Sequence, residues 1–282
     1  MKRINVFRSV ILLLVTFELF TLGLGNAISV SWNGTTWALL SEENGNYYLT
    51  MVSTNGHLSK VPLHLNGTPC GLAWNGREWL VETFIPDSVV VQTPNGSVLF
   101  RFHSYDCRGF AYFNRTYYVP ISESAMMGDC SLLLVSPNGS VERRIPCGFI
   151  NGVRVKIVGK KLYLMNCTGI YVYSNGAFKR ALQLDNWAED FDVLNDKILL
   201  CSNGLIEHSK NGTREITDSC DAISCNGWEC LIASNGALYI YDGNLSTLEI
   251  EENTRNINPK TVAVGVFLVF LTIWLLMRRK SA

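Results

Sequence analysis

Apolar and polar residues alternate with a period of two through most of the chain, and the alternating runs are broken by Asn-Gly or Asp-Gly pairs. Period two puts successive side chains on opposite faces, so these runs predict β-strands, and Asn-Gly predicts tight turns because both residues tolerate positive φ. One unit joins a strand, a turn and a second strand with aromatics at the junctions. It reads Val30-Ser31-Trp32-Asn33-Gly34-Thr35-Thr36-Trp37 and returns as Leu72-Ala73-Trp74-Asn75-Gly76-Arg77-Glu78-Trp79. Phe110 to Val119 is a looser copy, and weaker ones follow at 155–164, 191–200 and 222–232. A second hairpin lies between these copies, turning at Asn55-Gly56, Asn95-Gly96, Asn138-Gly139, Asn175-Gly176, Asn211-Gly212 and Asp242-Gly243.

Six hairpin pairs over residues 28–251 come to about 37 residues per repeat, close to the ~40 of a four-stranded propeller blade. Such a sheet is apolar on both faces and must stack against neighbours, and closing the stack into a ring buries the last two faces. The expected fold is therefore all-β, a six-bladed β-propeller with contiguous blades, and blade 1 must pack on blade 6. Two β-sandwich domains would leave the alternation of two turn types unexplained. With strands A to D running from the centre outward, the A–B and C–D turns share one face of the ring. The B–C loops and D-to-A crossovers share the other. Longer spacing between turn asparagines in the first three repeats predicts longer B–C loops there.

The ends depart from this pattern. Residues 1–27 read as a signal peptide: Lys2, Arg3 and Arg8 precede an apolar run from Val10 to Leu24, and Gly25 and Ala27 set cleavage after Ala27. Residues 252–260 form a short stalk. Residues 261–277 are uncharged and apolar enough for one transmembrane helix, and the basic tail 278–282 assigns that end to the cytoplasm. The expected location is the cell membrane, single-pass, with the propeller outside.

Overall charge is zero, from 24 basic and 24 acidic residues, and the segment 28–260 carries 18 basic against 23 acidic residues. That balance excludes a general nucleic-acid binder. All nine cysteines lie in the outer segment, at Cys70, Cys107, Cys130, Cys147, Cys167, Cys201, Cys220, Cys225 and Cys230. In an exported protein they are disulfide candidates, with at least one left over. Their spacing matches no metal motif, and no cofactor fingerprint occurs, so no metal or cofactor is expected. Eight glycosylation sequons start at Asn33, Asn66, Asn95, Asn114, Asn138, Asn166, Asn211 and Asn244, six of them at turns of the A–B/C–D face.

The W-N-G-x-x-W unit followed by a second N-G or D-G hairpin resembles propeller repeats of uncharacterised membrane-anchored surface proteins of prokaryotes, especially archaea. That resemblance implies a fold and no particular activity. The expected function is a binding or interaction module at the cell surface, presenting its loop face to a protein or glycan. Trp187, at a crossover, is the aromatic expected to meet a ligand, while Trp32, Trp37, Trp74, Trp79 and Trp228 are expected to pack between blades. The alternative is a surface hydrolase acting on glycans, with Glu189, Asp190 and Asp221 at the channel mouth. Against that alternative stands pairing of the acidic residues with Arg108, Arg154 and Lys156.

Overall fold

A computed structural model describes residues 24–124, 129–150, 154–248 and 250. Chain reversals at the expected Asn-Gly and Asp-Gly pairs divide it into 24 strands grouped as six antiparallel four-stranded sheets. Blade 1 comprises β1 (Asn26–Trp32), β2 (Thr36–Glu43), β3 (Asn46–Ser53) and β4 (Leu58–Pro62). Blade 2 comprises β5 (Thr68–Trp74), β6 (Trp79–Ile85), β7 (Ser88–Gln92) and β8 (Val98–His103). Blade 3 holds β9 (Ala111–Phe113), β10 (Thr116–Ser122), β11 (Asp129–Val135) and β12 (Val141–Ile150), and blade 4 holds β13 (Arg154–Val158), β14 (Lys161–Asn166), β15 (Gly169–Ser174) and β16 (Ala177–Gln183). Blade 5 runs through β17 (Asp190–Leu194), β18 (Lys197–Cys201), β19 (Leu205–Ser209) and β20 (Gly212–Thr217), and blade 6 through β21 (Ala222–Cys225), β22 (Cys230–Ser234), β23 (Ala237–Tyr241) and β24 (Leu245–Thr247).

Six buried apolar clusters fill the six seams between successive blades. The fold is a six-bladed β-propeller. Among the described residues, no strand is exchanged between the first and last blades. The ring closes by packing alone: Val30, Trp37, Leu39 and Val52 of blade 1 meet Ala222, Leu231, Ala233 and Leu238 of blade 6.

Leu24, 2% exposed, belongs to that closing cluster. Asn26 and Ala27 already pair with Glu42 and Ser41 in β1. The folded unit thus begins upstream of residue 28, and the expected cleavage point after Ala27 falls inside its first strand. Residues 1–23 of the expected signal peptide, the stalk 252–260, the expected helix 261–277 and the tail 278–282 lie outside the described residues. No helix among the described residues is long and apolar enough to cross a membrane. Leu24→Ala is expected to lower unfolding free energy by at least about 2 kcal/mol, the usual cost of emptying a buried leucine site, measured by denaturant titration.

The turns follow from side-chain chemistry. In the W-N-G-x-x-W turns the asparagine Oδ1 accepts two backbone N–H bonds: Asn33 from Thr35 and Thr36, Asn75 from Arg77 and Glu78. Only the following glycine takes positive φ, 104° at Gly34 and 89° at Gly76. The expectation of two positive-φ residues holds instead at Asn175-Gly176, and at the B–C turns Asn44-Gly45 and Asn235-Gly236. Longer B–C loops over blades 1 and 2 are not found. Two residues connect β2 to β3 and β6 to β7, and the extra spacing is absorbed by longer strands such as β2 and β3, eight residues each. Only the β10–β11 connection is long, from Ser122 to Asp129.

Candidate functional site

The innermost strands of all six blades enclose a central cavity of about 290 Å³. In a propeller these strands face one another across a channel, so their edge groups need side-chain partners. Acidic and basic residues supply them. Asp190 on β17 is fully buried. Its Oδ1 receives the Arg154 guanidinium at 3.1 Å, the Lys156 ammonium at 3.5 Å and its neighbour Phe191 N–H at 2.8 Å. Its Oδ2 accepts the Ile223 N–H of blade 6 at 3.1 Å. Asp192 repeats this two residues on, accepting the Cys225 N–H at 2.9 Å. Burial pushes the Asp192 carboxyl above its ordinary value, while the Lys156 charge 3.9 Å away opposes that rise. Lys156 completes the set by donating to the Ile223 carbonyl at 2.9 Å. These four side chains tie blades 4, 5 and 6 together around the channel.

On the crossover face the channel opens into a second cavity of about 310 Å³, lined by Ala27, Pro69, Cys70, Cys107, Glu189 and Asp221 among others. Arg108 and Arg154 line both cavities and form the neck between them. The Arg108 guanidinium stacks on the Trp187 ring at 4.7 Å, and the Trp187 Nε1–H donates to Glu189 at 3.0 Å. Trp187 remains 43% exposed. The mouth therefore offers an aromatic face, two guanidinium groups and two carboxylates.

Of the three carboxylates expected at this mouth, Glu189 and Asp221 line it and Asp190 does not. Glu189 is exposed, and Asp221 lines the cavity while accepting the Asn235 N–H at 2.8 Å. Asp190 points inward and has both oxygens occupied by two cations and two N–H groups. Pairing with Arg154 and Lys156 is found for Asp190 and with Lys156 for Asp192, while Glu189 and Asp221 accept from Trp187 and Asn235.

Three disulfides form: Cys70–Cys107, Cys201–Cys220 and Cys225–Cys230. Cys130 and Cys147 are buried thiols, and Cys167 is an exposed one. In the native protein Cys167 is expected to react with a maleimide within minutes, while Cys130 and Cys147 label only on unfolding. Mass spectrometry after timed labelling checks this.

Of the sequon asparagines, Asn66, Asn95, Asn114, Asn138, Asn211 and Asn244 are exposed and Asn33 is half-buried. Asn166 is 5% exposed, and its Oδ1 holds the Thr168 N–H, Thr168 hydroxyl and Gly169 N–H. Its amide is thus closed to a glycan in the folded state. Trp32 and Trp74 line the channel, Trp32 tilted against the buried Trp37 and Trp74 edge-on to the buried Trp79. Trp228 departs from the expected packing role. It is 81% exposed, because it occupies a turn position of the repeat, where blades 1 and 2 carry Thr35 and Arg77.

One buried group was invisible in the repeat pattern. Glu82 on β6 is fully buried in the seam between blades 2 and 3. Its Oε2 accepts the Gly109 N–H at 2.8 Å, and its Oε1 has no hydrogen-bond partner. The one available signal was an acidic residue inside an otherwise apolar strand, Trp79-Leu80-Val81-Glu82-Thr83-Phe84.

No protein-family model matches the chain, and no curated protein matches it. Solved structures do resemble it. A protein of unknown function from Bacteroides caccae aligns with a TM-score of 0.53 at 11% identity, covering 76% of this chain and 93% of that one. The β-propeller domain of the Trilobed protease from Pyrococcus furiosus, described as having an open velcro topology, aligns at 0.48 and 12% identity, covering 81% and 85%. BamB from Moraxella catarrhalis aligns at 0.42 and 10%, covering 79% and 76%. At such identities the likeness is one of fold.

Proposed function

We propose that this chain is a binding module at the cell surface: a propeller held outside the membrane by the segment 261–277, presenting its crossover face to a protein or glycan. The observation that carries this reading is the open mouth with Trp187 stacked on Arg108 beside Glu189, Asp221 and Arg154. A half-exposed aromatic flanked by charged groups of both signs suits a polar partner with an apolar face. The ionic groups deeper in the channel are spent on one another, which favours binding over hydrolysis. The segment 261–277 with the basic cluster after it supports the anchor.

The test uses the intact anchored protein. Partners are captured from membranes and bound glycans are screened, with the Trp187→Ala variant run in parallel. Selective retention by the wild type, lost in Trp187→Ala, supports the reading. Retention indifferent to Trp187 removes the crossover mouth as the binding face. Turnover of a captured glycan that stops in Glu189→Gln would transfer the assignment to the hydrolase alternative. Protease accessibility of the propeller on whole cells checks its outward placement.

A further inference from the structure

The seam between blades 2 and 3 brings a carboxyl group against a disulfide. Glu82 Oε2 lies 3.4 Å from Cys107 Sγ and 3.6 Å from Cys70 Sγ. Among the described residues, no other three Cys, His, Asp or Glu side chains converge so closely. The approach depends on two glycines. A Cβ on Gly71 would sit 2.4 Å from the Gly109 Cα, so only glycine lets the two inner backbones meet and places the Gly109 N–H on Glu82. Cys70 and Cys107 are half-buried and line the crossover mouth, whereas Cys201 and Cys220 are 0% and 5% exposed.

We propose that Cys70–Cys107 is a reactive disulfide, opened by exchange with an external dithiol, and that Glu82 is the resident acid–base group for that exchange. A thiolate of the dithiol attacks one sulfur. A new S–S bond forms to the reagent as the Cys70–Cys107 bond breaks, and the expelled sulfur leaves as a thiolate. Glu82 gives it a proton. The second thiol of the dithiol, losing its proton to the Glu82 carboxylate, then attacks the mixed disulfide. The second sulfur departs as a thiolate and takes up that proton. Two electrons and two protons pass in total and the dithiol becomes a disulfide; Glu82 is left as the carboxylate and regains from solvent the proton that the first thiol released on ionising. Exchange rates depend on how readily the leaving thiolate is accommodated, and a positioned acid answers that need.

The surroundings keep Glu82 in the acid form. Burial pushes its carboxyl up to about 8, against the pull of the Gly109 N–H and the Arg154 charge, and Asp106 adds to the rise. Oε1 has no hydrogen-bond partner to stabilise a negative charge, and Oε2 is the oxygen that faces both sulfurs. Opening this bond frees the β8–β9 crossover, which carries Arg108, from its tie to β5.

Native protein is treated with dithiothreitol between pH 6 and pH 9, quenched with iodoacetamide at intervals, and mapped by peptide mass spectrometry. Cys70–Cys107 is expected to open first, at least tenfold faster than Cys201–Cys220. Its rate should rise with the reagent's thiolate fraction and bend downward near pH 8 as Glu82 loses its proton. Glu82→Gln is expected to slow opening at pH 7 by about tenfold or more and to abolish the bend. A wild-type profile that follows reagent thiolate alone through pH 8 overturns the proposal. So does an unchanged rate in Glu82→Gln, or reduction only as fast as global unfolding. Should Glu82→Gln not fold, the wild-type profile alone decides.

Discussion

Asp190→Ala is expected to destabilise the propeller by about 3–5 kcal/mol, the range for removing one partner of a buried ion pair. The loss has three parts in this molecule. Arg154, with an 11% exposed side chain, loses its anion 3.1 Å away. Lys156 keeps the Ile223 carbonyl but has only the Asp192 carboxylate, at 3.9 Å, as an anion. The Ile223 N–H, buried on blade 6, loses its acceptor and carries the desolvation cost of an unpaired donor. The Coulomb attraction itself is a poor guide, since burying the charges offsets much of it. What makes the substitution costly is that the positive charges stay behind. Glu189→Gln, one residue away but exposed, is expected to change stability by less than about 0.5 kcal/mol. Urea titration of both variants at pH 7 tests the contrast, and equal effects would mean that Asp190 is not the tie between blades.

Glu82 gives the second large effect, read in its pH dependence. In the unfolded chain this carboxyl loses its proton near 4.5, and in the fold near 8. The native state therefore holds more protons between those values, and stability falls as pH rises through that window. The contribution is fully present below about 4.5 and gone above about 8. The spacing of the two values corresponds to about 5 kcal/mol. Glu82→Gln removes the titration while keeping the side chain's size. The difference in unfolding free energy between wild type and variant should therefore tilt in the variant's favour from pH 5 to pH 8.5. A difference that stays flat across that range would mean that the carboxyl ionises normally.

The repeat was legible because turn chemistry is local. Asn-Gly pairs and flanking aromatics are adjacent in sequence, and they marked the strands and the contiguous blades. One local clue went unused. Cys225-Asn226-Gly227-Trp228-Glu229-Cys230 places cysteines where the repeat has its two tryptophans, and Cys225 pairs with Cys230 across the strands as Trp32 pairs with Trp37. That alignment alone predicts the third disulfide. The ionic network could be guessed only as a list of charges. Asp190 and Ile223 are 33 residues apart, and which cation reaches which carboxylate depends on how three blades converge on an axis. The start of the fold was obscured for another reason: an apolar run of the kind an export signal carries looks like a buried strand lead, and Leu24 stands at the end of such a run.

The manner of closure has a further consequence. The seam joining the first and last blades, like the other five, is filled by apolar side chains with no shared strand, and Leu24 and Leu248 both pack into it. The two ends of the propeller segment therefore meet at one place on a wheel of six similar spokes. Linked there and cut at another crossover, the polypeptide would present the same six spokes in a rotated order. Only the cyclic order of the blades is tied to their arrangement in space, so a descendant gene could begin at a different blade and still specify this wheel.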